Sequence, residues 1–306
     1  MKKNGRITLS VLAAGVILST LVRIYVIVVH TDMMHTGFLH HGEELLCNGL
    51  YYGIVLAAMI AAVFTARADD KRLGVPRTAS DISGPRAVVL GFLTLFAGLF
   101  AAYEGIAEIH AISPMLFLTI SDLIFAIMLM IIAFFTLYKK SFTPGLGYSY
   151  SLIGVYCVFR GIHCFRNRMV ILTIPEYLIE CLSLIGMAVF FVLLGGYLSG
   201  NETKRTRKAL CFWGTGSASL VLSSALGTLI ASVIAPEEIQ NRIVYSSYAA
   251  ESFRQSSMGA DAYKMVIVPW TNVFLGLLIA SLLVVMFMKP KGRTSELPSE
   301  ETEQND

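Results

Sequence analysis

Apolar runs long enough to cross a bilayer recur along the whole chain, separated by short polar segments. Their spacing predicts eight membrane helices, over Ile7–Val29, Leu50–Ala66, Ala87–Ile109, Pro114–Tyr138, Tyr148–Phe165, Ile174–Leu198, Ala209–Ile234 and Met265–Met288. The second and fifth runs are short for a crossing and read as less tilted or partly re-entrant. The predicted fold class is all-α, a polytopic membrane helix bundle. Residues 1–288 form a single transmembrane domain, and residues 289–306, ending SELPSEETEQND, form a disordered acidic cytoplasmic tail.

Composition supports this pattern. Hydrophobic residues make up 55% of the 306 and charged residues only 15%, too apolar a balance for a soluble domain of this length. The first run begins with Lys2, Lys3 and Arg6, as a signal peptide does. It is about twice the length of a signal core and is followed by no small-residue cleavage pattern, so it reads as a retained helix.

Charge sets the predicted orientation. With the N-terminus inside, 17 of the 24 Lys and Arg residues fall on inner segments. The outer segments hold Arg166, Arg168, Arg242, Arg254 and Lys264, and Arg23 and Arg160 lie inside spans. An even number of spans with both termini cytoplasmic, in the plasma membrane, follows. The net charge of +3 is therefore a consequence of topology and predicts no nucleic-acid partner; the lipid bilayer is the partner the sequence implies.

Candidate chemistry gathers toward one end of the predicted bundle. The third span ends AAYEGIAEIH, which puts Glu104 and Glu108 one turn apart on one helical face. Ala97, Ala101 and Gly105 beside them allow a neighbouring helix to come close. Asp122 lies in the fourth span. Tyr156, Arg160, His163 and Asn167 share a face of the fifth, and the sixth opens with Pro175-Glu176 and carries Glu180 a turn deeper. The seventh span is different, with Gly216, Ser219, Ser223 and Gly227 forming a small-residue packing face.

Arg23, Glu104, Glu108, Asp122, Arg160, His163, Glu176 and Glu180 all lie within about eight residues, or about 12 Å, of the predicted outer end of their spans. Ionisable groups at that depth are costly, about 2.5–3.5 kcal/mol each near the bilayer centre, and require mutual pairing or water. The set predicts a polar cavity open to the outside over an apolar inner floor. Glu104, Glu108, Asp122, Arg160, His163, Glu176 and Glu180 are its candidate ligand-binding residues. Acids outnumber arginines there, which points to a cation, a proton or an amine. The same set also reads as a structural ion-pair network that fixes helix packing, with Arg160 held by Glu104, Glu108 or Glu176. The Glu-x-x-x-Glu pairs of the third and sixth spans both lie in the outer half, which argues against an inverted repeat.

All six histidines fall on the predicted outer side, four of them in the loop HTDMMHTGFLHHGEELLCNG. Imidazole with carboxylate and thiol suits Zn or Cu at the outer face, with His110 and His163 the candidate ligands. Interfacial histidines in a wet loop explain the same pattern. Cys47 and Cys164 both fall on the outer side, where a disulfide is conceivable, although small buried apolar roles suit the five cysteines better. Gly42–Gly49, FRGIH (Phe159–His163) and HCFRN (His163–Asn167) resemble, over a few residues, the motifs of CAAX-type intramembrane proteases. Asn48 stands where the first motif has arginine, and His163 is shared by the other two. Met34-His35-Thr36-Gly37 is similar to the MHYT sensor motif, without its repeats. No family is assigned from either.

The sequence thus predicts a multi-pass membrane protein binding a small solute or cation in an outward-facing polar cavity, as a secondary transporter or sensor-like receptor does. The alternatives are a metal-dependent intramembrane hydrolase, with His110 and His163 as ligands and Glu104 or Glu108 as base, and a structural or accessory membrane subunit.

Overall fold

The computed structural model describes residues 3–30, 44–73, 84–109, 116–139, 144–168, 175–199, 204–234, 243–244, 265–266 and 270–287. Eight α-helices account for nearly all of these residues. They are α1 (Lys3–Tyr25), α2 (Glu44–Leu73), α3 (Pro85–Ile109), α4 (Leu116–Lys139), α5 (Pro144–Arg168), α6 (Pro175–Leu198), α7 (Lys204–Ile234) and α8 (Trp270–Phe287). A π-helical turn, Val26–His30, continues α1. Six of the eight, α1 to α4, α6 and α7, are long and apolar enough to cross a membrane. Large apolar side chains such as Leu21, Phe64, Ile124, Phe134 and Val233 stay exposed on their outer faces, as lipid-facing positions do in a membrane bundle.

The order of helix contacts defines a ring. α3 packs on α4, α4 on α5, α5 on α6, α6 on α7, α7 on α8, and α8 returns to α3. The α1–α2 hairpin sits against α7. α7 is consequently the most enclosed helix, and its small residues explain how. Gly216 lies under Met59 of α2, Gly214 under Phe190 of α6 and Leu283 of α8, and Gly227 under the Arg23 side chain of α1. A methyl group at any of the three would come within 2.8 Å of Met59, Phe190 or Arg23, so the small-residue face read from the sequence is a packing face on several sides at once.

Glycine also sets the register inside the hairpins. On α3, Gly91, Gly98 and Gly105 face Leu137, Leu129 and Leu123 of α4 in turn. Gly105 additionally leaves room for the Asp122 side chain. These contacts carry Glu104 and Asp122 to the same end of the hairpin.

Several expected boundaries move. α2 is longer than Leu50–Ala66. α7 begins at Lys204 rather than Ala209, so Arg205, Arg207 and Lys208 belong to the helix instead of a connecting segment, and Arg207 is buried. α8 begins at Trp270, directly after Pro269, rather than at Met265. Proline biases the residue before it away from helix, which is why the apolar run enters its helix late. Met265–Val266 instead pairs in parallel with Ile243–Val244 as a two-residue bridge. The acidic tail at 289–306 and most of the predicted outer loops lie outside the described residues.

Candidate functional site

The polar cluster is assembled by five of the six ring helices. Arg160, on α5, donates from Nη1 to Oδ2 of Asp122 on α4 at 2.6 Å. Tyr156, one turn before Arg160, donates its hydroxyl to Oδ1 of the same carboxylate at 2.6 Å, and Arg160 Nη1 lies 3.3 Å from that hydroxyl. The Tyr156 ring stacks on Phe125 of α4, centroids 3.5 Å apart and planes 5° from parallel, which fixes the phenol over the ion pair. Asp122, Arg160 and Tyr156 are all buried.

Glu104, on α3, takes a different role. Its carboxylate accepts the Thr271 backbone N–H at 3.3 Å and the Thr271 hydroxyl at 3.0 Å. Thr271 is the second residue of α8, so this N–H is among those that no intrahelical carbonyl can satisfy. The carboxylate also faces the positive end of the helix dipole. Phe100, one turn before Glu104, lies 5.9 Å from Trp270 and 5.1 Å from Phe274, and Phe96 lies 5.4 Å from Phe274. This aromatic seam docks the start of α8 over Glu104. Thr271 is not legible in the sequence, because a lone threonine before an apolar run carries no charge pattern.

Electrostatics join the two halves. The Arg160 guanidinium interacts with the carboxylates of Asp122, Glu104 and Glu180, the last on α6. One guanidinium thus pairs with Asp122 and interacts at longer range with two further carboxylates. Glu104, Asp122 and Arg160 are covered by protein, at 4%, 1% and 5% exposure, whereas Glu180 is half-buried. Of the predicted site residues, the structure therefore brings Glu104, Asp122, Arg160 and Glu180 together. Glu108, Glu176 and His163 belong to helices of the ring, but their side chains lie outside the described residues, as does His110 altogether. The proposed Zn or Cu site on His110 and His163 accordingly falls outside them too. No group of three His, Cys, Asp or Glu side chains fit to hold a metal occurs among the described residues.

Arg23 belongs elsewhere. It is buried between α1 and α7, beside Tyr51 and Tyr52 of α2. The Tyr51 hydroxyl meets Ser223 of α7 at 2.7 Å. At the opposite end of the ring, Tyr150 of α5 meets Thr94 of α3 at 3.2 Å and also Thr136 of α4. The floor expected to be apolar therefore contains a buried hydroxyl node. Cys47, Cys157, Cys181 and Cys211 are buried thiols, in keeping with small apolar roles; Cys164 lies outside the described side chains.

Comparison with protein-family models, with curated proteins and with solved structures finds no match for the chain.

Proposed function

We propose that the protein binds a proton or small monovalent cation at the Glu104–Asp122–Arg160–Glu180 cluster, as a sensor-like receptor or secondary transporter of the plasma membrane. The observation that carries this reading is the excess of carboxylate over guanidinium, three to one, in a mostly buried cluster. A net negative charge at membrane depth is costly, and a bound cation or proton offsets it. Oxygen donors alone suit a proton, an alkali cation or a protonated amine better than Zn or Cu. The closed floor, with Thr94, Thr136 and Tyr150 tied together, favours a receptor over a transport path.

A structural or accessory subunit is the second reading. It is favoured by the Asp122–Arg160–Tyr156 set satisfying itself and by Glu104 serving α8.

Thermal unfolding of the detergent-purified protein separates the two. Sodium, methylammonium and acid are titrated separately into the wild type and into Glu180→Gln. A ligand that binds only the folded state raises Tm with its concentration. The cation-binding reading expects such a rise in the wild type and its loss in Glu180→Gln, with little change in the ligand-free Tm. A wild-type Tm indifferent to all three leaves the structural reading.

A further inference from the structure

The stretches Leu90–Ile106 of α3 and Leu146–Ile162 of α5 read LGFLTLFAGLFAAYEGI and LGYSYSLIGVYCVFRGI. Placed 56 positions apart, they share Leu90 with Leu146, Gly91 with Gly147, Gly98 with Gly154, Gly105 with Gly161 and Ile106 with Ile162. Aromatic residues occupy the paired positions 92 and 148, 100 and 156, and 103 and 159. Burial follows the same alignment. Leu90, Thr94, Ala97, Ala101 and Glu104 are buried, and so are their counterparts Leu146, Tyr150, Ile153, Cys157 and Arg160.

The partner helices match in register as well. Gly91 and Gly105 face Leu137 and Leu123 on α4; Gly147 and Gly161 face Leu198 and Leu184 on α6. Both leucine pairs are 61 positions apart. The middle glycines, Gly98 and Gly154, each meet a main-chain carbonyl of the opposite helix, Ala126 and Ala188. A shared face could arise from any small-residue seam, but one offset of 56 that aligns glycines, aromatics and burial on α3 and α5, with a second of 61 that aligns the partner leucines of α4 and α6, requires more than that.

The residue just before the third glycine is Glu104 in one stretch and Arg160 in the other. Each reaches backward around the ring to the first turns of the preceding helix, Glu104 to Thr271 of α8 and Arg160 to Asp122 of α4. Within each hairpin the helices are closely packed along the glycine seam, whereas α4 and α5 touch far more sparingly.

We propose that α3–α4 and α5–α6 are two direct copies of one glycine-seamed hairpin, and that Glu104 and Arg160 are equivalent ties between neighbouring hairpins. The hairpins are then the rigid units. A ligand at the cluster acts on the joints between them, as it does in membrane proteins built from parallel repeats. The ligand part rests on the cation-binding reading; the duplication does not.

Cysteine cross-linking in native membranes tests both parts, using a chain whose own cysteines are replaced by alanine. Gly105→Cys with Leu123→Cys and Gly161→Cys with Leu184→Cys are expected to cross-link equally well, and one-residue shifts to 124 and 185 to lose most of the yield. A second hairpin that prefers the shifted register overturns the duplication. The between-hairpin pair Thr136→Cys with Tyr150→Cys, remote from the cluster, is expected to change its yield when sodium replaces a bulky organic cation or when the membranes are acidified. The within-hairpin pairs are expected to stay constant. If the thermal titration shows ligand binding and the between-hairpin yield does not move, the rigid-unit role is overturned. If no ligand binds, the cation-binding reading fails while the register comparison still decides the duplication.

Discussion

Arg160 is the residue on which the cluster depends most. Removing one member of a buried pair leaves the other charge without compensation and costs about 3–5 kcal/mol, whereas replacing both by apolar groups of similar size is often neutral. Arg160→Ala is therefore expected to destabilise by about that amount, and Arg160→Met with Asp122→Leu to recover only part of it, because Glu104 and Glu180 lose their countercharge and Tyr156 its acceptor, in denaturant titrations of the detergent-solubilised protein. A double variant as stable as the wild type would show that Arg160 serves Asp122 alone and that Glu104 and Glu180 do not depend on it. Tyr156→Phe keeps the stack on Phe125 and loses one hydrogen bond to a charged acceptor, an expected loss of about 1.5–3 kcal/mol in the same titration. Glu104 calls for a different comparison. Glu104→Gln retains a carbonyl oxygen for the Thr271 N–H, while Glu104→Ala removes the cap, so alanine is expected to be worse than glutamine by about 1 kcal/mol.

At the scale of the element, glycines decide where helices meet, and the decision is testable because the glycines differ in surroundings. A methyl group at Gly154 would come 2.8 Å from the Ala188 carbonyl oxygen and 2.9 Å from Val192, a backbone contact that cannot rotate away. At Gly196, on the partner helix α6, nothing lies within 4 Å. Gly154→Ala is expected to cost about 1–3 kcal/mol through overpacking. Gly196→Ala is expected to gain up to about 1 kcal/mol through helix propensity. Equal effects at the two sites, measured by thermal unfolding, would sink the seam. The helices themselves were legible from apolar run length, and Asp122, Arg160 and Glu180 were legible as a group because charges within spans stand out. Which carboxylate holds Arg160 was not legible. That depends on how α5 sits against α4, a sparing contact between hairpins that neither glycine seam runs along and that a reading of charges alone passes over. Thr271 and the hydroxyl node of Thr94, Thr136 and Tyr150 were missed for a related reason: buried hydroxyls leave no mark in a charge map. The direct repeat proposed for α3 and α5 rests on their glycines and not on the Glu-x-x-x-Glu pairs.

For the whole molecule, the open matter is how many helices cross. α5 carries more polar residues than its neighbours, and α8, at 18 residues, is about 27 Å long against a hydrocarbon core of about 30 Å. Packing supplies the missing argument. Gly147 lies against Leu198 and Gly161 against Leu184, so α5 runs antiparallel along α6, a helix long and apolar enough to cross. Gly214 lies against Leu283 and Gly276 against Val221, so α8 runs in the same way along α7. A helix that runs along a crossing partner is expected to share its depth. Its polar face is accommodated because the ring interior, and not lipid, receives it. Eight crossings with two termini on one side are therefore the expected topology, that side being the one on which the sequence gathers 17 of its 24 Lys and Arg residues. Single cysteines placed at positions 80 and 141 are expected to be labelled by a membrane-impermeant thiol reagent only after cells are opened, and one at position 171 in intact cells. Labelling of positions 141 and 171 from the same side would remove α5 as a crossing helix. The Arg160–Asp122 tie would then join a crossing helix to one that does not cross, and the cluster would lose the membrane depth on which the cation-binding reading depends.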